Sequence, residues 1–226
     1  MATLRQIATD VWTLDGPLAL FGLCIGHQMT VVRRSNGALL VHSPLPATPG
    51  LLGELRALGP IEDWVAPSRT HDLYLEGWFE QCPEARGWGA PSLARVHPDW
   101  SFAGWLDDCA DAPWADEFAV LPVDGVPRVD EHVLLHRPSS TAICADLIFN
   151  CGDRNRGLRK PLAHLVGIGG GPAADRLYKL MIRDRRAFRA SLGPICEWGA
   201  ERLIVGHGDP VEGDVGELLT RAYRLG

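Results

Sequence analysis

Apolar positions in the first forty residues come in short, compact runs. Residues 10–14 (DVWTL), 29–33 (MTVVR) and 38–42 (ALLVH) are β-branched or apolar clusters that predict strands. Ser35-Asn36-Gly37 separates the last two, and Asn-Gly accepts the positive φ angles of a tight hairpin turn. The opening therefore reads as a β-meander. The rhythm changes over residues 48–58, where Leu51, Leu52, Leu55 and Leu58 form a helical stripe. Residues 61–66 make a short apolar strand, and 71–81 place Leu75, Trp78 and Phe79 at helical spacing. Residues 86–88 make another strand, and Pro91 suits the first turn of a helix. Strands alternating with helices predict parallel pairing.

Residues 99–116, rich in Asp, Ala and Trp, read as an irregular excursion. Strands resume at 117–123, 132–136 and 141–147, with Pro138-Ser139-Ser140 as the turn between the last two. Residues 152–171 are polar and glycine-rich, 173–198 read as one or two helices, 202–205 as a last short strand and 211–225 as a last helix. No internal repeat has matched motifs and no linker divides the chain, so residues 1–226 are expected to form a single domain.

Composition narrows the function classes. The chain has 226 residues, 46% hydrophobic and 22% charged, which suits a soluble domain with a sizeable core. Its net charge of −6 argues against broad nucleic-acid binding, which needs a basic footprint. No apolar run approaches the roughly 20 residues of a membrane span, and residues 1–10 lack the apolar stretch of a secretory signal. Six cysteines without a CxxC pair are expected to be free thiols in a reducing cytoplasm rather than a zinc site.

Three segments could carry chemistry. In LIVGHGDPV a buried strand runs into Gly206-His207-Gly208, where flanking glycines would leave His207 unshielded as a metal ligand or general base; a loop-capping role is the alternative. In TAICADLIF, Asp146 closes an apolar strand and must be paired, cap a turn or bind a metal. In IEDWVAPSRTHDLYLEG, His71 and Asp72 stand where a strand gives way to a helix, and Asp72 suits the helix N-terminus. All three lie at carboxyl ends of strands, the edge where ligands gather in α/β sheets. Two histidines and an aspartate there suit a metal with open positions for water or substrate.

Other features weigh less. Residues 167–171 (GIGGG) lack the rest of a phosphate loop and read as flexible chain. Residues 175–189 hold six basic and two acidic side chains, which could receive an anion but fit a solvated helix face better. His132 and His136 share one strand face and are expected at the surface. His42 could line a pocket or hold a turn, while His27, His97 and His164 have no clear context. Ser43, Ser68 and Thr70 would be nucleophiles only beside a positioned base, and no GxSxG elbow is present.

The order of elements, together with LIVGHGDPVEGD and CADLIF, resembles the metallo-β-lactamase superfamily, which implies an α+β fold, the αββα sandwich. The wording VHSP, the single His before a helix, HRPSSTAICADLIFN and the RDR helix are similar to a branch of that superfamily known only as a domain of unknown function. Aligned on the following Pro83–Ala85 turn, the family's HxHxDH motif keeps only His71. Ala66 and Ser68 take its first two His positions and Thr70 its Asp position. Gly125-Val126-Pro127 replaces a further His turn, and His42-Ser43-Pro44 an early Asp. The losses fall on one half of a two-metal site and leave His71, Asp146 and His207 in the other. The resemblance thus implies a metal-dependent hydrolase-like protein with one divalent metal, zinc first and iron second, acting on a small molecule. His71, Asp146 and His207 would be ligands, His207 and Asp72 would be catalytic, and Asp72 is a candidate fourth ligand or base. A descendant of the fold that binds a ligand or partner without metal, and a mononuclear iron protein, are the alternatives.

Overall fold

The computed structural model describes residues 3–225. Strands β1 (Arg5–Ala8) and β2 (Val11–Gly16) pair antiparallel. The chain then puts out a small flap, β3 (Ala19–Leu20) and β4 (Leu23–Cys24), before returning as β5 (His27–Arg33) and β6 (Leu39–His42). The Asn-Gly turn forms as expected, with Gly37 at φ +85° and the Arg34 N–H donating to Ala38 O at 2.8 Å. Helix α1 (Pro49–Leu58) starts at Thr48, whose hydroxyl accepts from the Leu51 N–H. Then follow β7 (Ile61–Ala66), α2 (Leu75–Gln81), β8 (Arg86–Gly89), α3 (Leu93–Val96) and β9 (Gly104–Trp105). The sheet order is β1-β2-β5-β6-β7-β8-β9, antiparallel as far as β6 and parallel from β6 to β9. The strand–helix alternation from residue 38 onward is what makes this half parallel.

The second half supplies β10 (Phe118–Pro122), β11 (His132–His136), β12 (Thr141–Ile143), β13 (Phe149–Asn150), α4 (Arg159–Val166), α5 (Arg176–Met181), α6 (Arg185–Glu197), β14 (Arg202–Ile204), β15 (His207–Gly208), β16 (Val211–Glu212) and α7 (Val215–Tyr223). Its sheet runs β10-β11-β12-β14-β16, and β13 pairs separately with β15. Alternate side chains on the strands feed different layers. Val31, Leu39 and Val41 pack under α1 and α2 with Leu52, Leu55 and Trp78. Their neighbours Val32 and Leu40 turn the other way, to meet Leu134, Ile143 and Ile204 between the sheets. Val133, Leu135 and Leu203 complete the outer layer with Phe188 and Leu192 of α6 and Leu219 of α7. The result is helix–sheet–sheet–helix, the αββα sandwich. Among the described residues no helix is long and apolar enough to cross a membrane.

Three expectations need correction, and one stretch without a predicted element gains one. The strand expected over 141–147 stops at Ile143, because a buried carboxylate captures the backbone that follows. The polar, glycine-rich residues 152–171 contain α4, which Gly157 and Gly167, both at positive φ, bracket. The helices expected from residues 71 and 211 begin at Leu75 and Val215; residues 211–212 instead form an edge strand, and Asp214 caps α7 by accepting from the Glu217 N–H. His132 and His136 are buried rather than at the surface, since β11 lies inside its sheet with both faces covered.

Candidate metal centre

Three strands run toward one edge of the sandwich, and each is followed there by a residue of interest. β7 leads through Pro67 and Ser68 to His71, β12 leads into the loop bearing Asp146, and β14 leads through Val205 and Gly206 to His207 in β15. The Asp146 loop owes its shape to Glu131, which sits just before β11. One Glu131 oxygen, Oε1, accepts the N–H groups of Ala145 at 2.8 Å and of Asp146 and Leu147 at 3.1 Å. Glu131 is buried, and burial together with the Asp146 charge pushes its carboxyl up to about 8. Sequence reading missed this residue, whose partners lie across a hairpin.

One donor atom from each of His71, Asp146 and His207 falls within 4.8 Å of the other two. The His207 Nε2 is 3.0 Å from Asp146 Oδ1, and the His71 Nε2 is 3.7 Å from the same oxygen. On its other side His207 meets Gly26 O through Nδ1 at 2.7 Å. A carbonyl only accepts, so Nδ1 carries the proton, and a neutral ring then turns a lone pair toward the carboxylate. Two acceptors at 3.0 Å need a positive charge between them, either a second proton or a metal ion. The His71 Nε2 is buried without a hydrogen-bond partner, while its Nδ1 lies 2.5 Å from Ser43 Oγ. The donor set therefore fits a divalent ion, with the far nitrogens held as metal-bound histidines usually are.

Thr70, at the position read as a lost carboxylate, donates to Asp146 Oδ2 at 2.5 Å and contacts Ser68 Oγ at 2.9 Å. These bonds leave Oδ1 to the two histidines. Burial would raise the Asp146 carboxyl, but His71 and His207 outweigh it and hold it well below the usual carboxylate range. The flanking glycines of His207 have a different purpose from the one expected. The ring is 5% exposed and stacks on Phe149 with centroids 4.8 Å apart, so it is not unshielded. A Cβ on Gly206 would lie 2.5 Å from Ala145 O and 2.6 Å from His71 Cε1, so glycine allows the strands to close on one another.

Asp72 is not within the triad. Its Oδ2 meets His97 Nε2 at 2.8 Å, and the His97 ring stacks on Trp100 at 3.7 Å. The Asp72 backbone carbonyl, not its side chain, receives the Leu75 N–H where α2 starts. Asp72 does line the same cavity of about 640 Å³ as Thr70, Asp146 and His207. His27, which had no context in the sequence, lies beside the triad, with Nε2 3.1 Å from Ser43 O and 3.0 Å from Ser43 Oγ. His42 neither lines the cavity nor holds a turn; it is buried, and neither ring nitrogen bonds another residue.

These buried groups predict how the metal-free protein responds to pH. Burial first, then the charges of neighbouring histidines, push His27 and His42 down to about 3. Unfolded, both take up a proton near pH 6.5, so stability is lost as pH falls below that value. Burial adds His132 and His136 to this acid limb. Glu131 has the opposite sign. It keeps its proton to about pH 8 when folded but sheds it near 4.5 when unfolded, so it costs stability as pH rises between those values. Each proton is worth roughly 1.4 kcal/mol per pH unit. Urea midpoints measured in chelator should peak near pH 6.5 and fall on both sides; a midpoint unchanged from pH 5 to 8 would contradict these assignments.

A family model described as a domain of unknown function, DUF4336, matches residues 8–158, a span that holds His71 and Asp146 and ends before His207. No protein of curated function matches the chain. Solved metallo-β-lactamases are similar to it along its length. With that from Pontibacter korlensis the TM-score is 0.66 at 14% identity, covering 100% of this chain and 98% of the other. With that from Hirschia baltica it is 0.63 at 13% identity, covering 99% and 97%. At such identities the likeness is one of fold.

Proposed function

Since the chain belongs to the DUF4336 family and has the metallo-β-lactamase fold, we propose that it is a metal-dependent hydrolase-like protein with one divalent ion, held by His71, Asp146 and His207. The observation that carries this reading is the meeting of His207 Nε2 and Asp146 Oδ1 at 3.0 Å while Nδ1 is committed to Gly26 O. When bound, the ion would supply a Lewis acid and lower the pKa of water in the cavity.

The protein's own groups do the rest. Gly26 O and Phe149 fix the His207 ring, Ser43 fixes His71, and Thr70 fixes the rotamer of Asp146. Asp72 keeps Oδ2 on His97, and its second oxygen would take a proton from water beside the substrate. The cavity of about 640 Å³ suits a small-molecule substrate. All six cysteines are unbridged, which fits a cytoplasmic protein.

Zinc is the first candidate, and Fe(II) suits the same two-histidine, one-carboxylate set. Ala66 and Val126 offer no side-chain donor, and Ser68 is engaged with Thr70, so a second ion lacks ligands at those positions. Elemental analysis of purified protein should therefore find one metal per chain. Two tightly held ions would overturn the single-site reading. None, even after zinc or iron is added, would favour a descendant of the fold that binds its ligand without metal.

A further inference from the structure

Helices α5, α6 and α7 border a second, open cavity, of about 470 Å³, with α5 as the wall it shares with the metal cavity. Five cations line it: Arg176, Lys179, Arg185, Arg189 and, just past α7, Arg224. No carboxylate side chain among the described residues lines it. Among the described residues, none of the five has an acidic partner within 4.0 Å. General basicity cannot explain the cluster, since the chain carries a net charge of −6.

The two acidic residues of this stretch are spent on helix starts. Asp175 accepts the Tyr178 N–H at 2.7 Å, and Asp184 accepts those of Arg186 and Ala187 at 2.9 and 3.0 Å. Neither forms an ion pair with the five cations, and burial together with Arg224 outweighs the Asp175 charge and pushes the Lys179 ammonium down. Apolar surface is present as well. Phe188 and Tyr223 meet edge to face at 4.9 Å, and the Lys179 Nζ sits 5.7 Å from the Tyr223 ring centre. Arginine forks matched to several anionic oxygens above an aromatic floor are the chemistry of phosphate recognition. A single negative charge would leave most of the repulsion in place; two or more linked phosphates would relieve it.

We propose that this cavity binds a small polyphosphorylated ligand, at a site separate from the metal centre. Inorganic pyrophosphate titrated calorimetrically into the full chain is the probe. Saturable binding is expected, weakening as salt is added. Arg185→Glu/Arg189→Glu should weaken it about tenfold or more, while Arg159→Glu/Lys160→Glu, the same charge change on α4, should leave it within about twofold. His71→Ala should bind pyrophosphate as the wild type does, which separates this site from the metal reading. Should the reversed-charge variant fail to fold by circular dichroism, Arg185→Gln/Arg189→Gln replaces it with the same expectation. No saturable heat at millimolar pyrophosphate, or equal loss in the α4 variant, would overturn the proposal. Binding to phosphatidylglycerol vesicles without binding to pyrophosphate would overturn it too, and would point to a membrane surface.

Discussion

Glu131→Ala is expected to lose about 3–5 kcal/mol of folding stability, near the top of the range for a single substitution. The side chain is the common acceptor for three consecutive backbone N–H groups, and truncation leaves all three without it. An unpaired buried donor costs about 1–3 kcal/mol. The full sum is not expected, because at pH 6.5 folding must protonate a side chain that sheds its proton near 4.5 when unfolded, and truncation removes that cost. Glu131→Gln keeps an acceptor oxygen of the same reach and should lose less than half as much. Urea denaturation of the three proteins at pH 6.5 decides the matter. An alanine variant within about 1 kcal/mol of wild type would mean that the 144–148 loop does not depend on this residue.

The second large effect concerns function. His207→Ala removes one of the three proposed ligands and also the ring that Gly26 O and Phe149 hold in place. Loss of a residue that merely supports a ligand costs about 10–100-fold in metal affinity, so loss of the ligand itself should exceed a hundredfold. Any hydrolytic activity found across a substrate panel should need metal and collapse in this variant. Little turnover of β-lactams or glutathione thioesters is expected, because a one-metal site lacks the clamp that two ions place on attacking and leaving oxygens. Robust turnover that survives both chelation and His207→Ala would move the chemistry elsewhere in the cavity, with Asp72 the next residue to test.

The parts of the fold that could be read in advance are those with local causes. Asn36-Gly37 specifies its turn by backbone conformation alone, and the leucine stripe of α1 specifies a helix by periodicity. His71, Asp146 and His207 could be chosen because each stands near the carboxyl end of a strand-like run, His71 after a short turn. What could not be read depends on partners distant in sequence. Nothing near Glu131 announces that it will hold the backbone of residues 145–147. Nothing near His27 says that Ser43 will place it beside the triad. The surface reading of His132 and His136 failed for the same reason, because alternation assigns a strand face but does not say what covers it. The glycines around His207 signalled a special place, yet the requirement was close approach to Ala145 and His71, not exposure.

The bond from His207 to Gly26 spans 181 residues, and the Gln28 N–H donates to Gly206 O beside it at 2.8 Å. This has a consequence for biosynthesis. A chain still emerging from the ribosome has released Gly26, His71 and Asp146 long before His207 exists outside the tunnel. The centre can close only after residue 207 has emerged and β5 has met β15. Metal loading would then wait for residue 207, and a product truncated before it would lack the site however well its first sheet formed. The same long-range tie means that local opening of β5 from β15 breaks the centre while the rest of both sheets stands, so metal release should precede the loss of secondary structure.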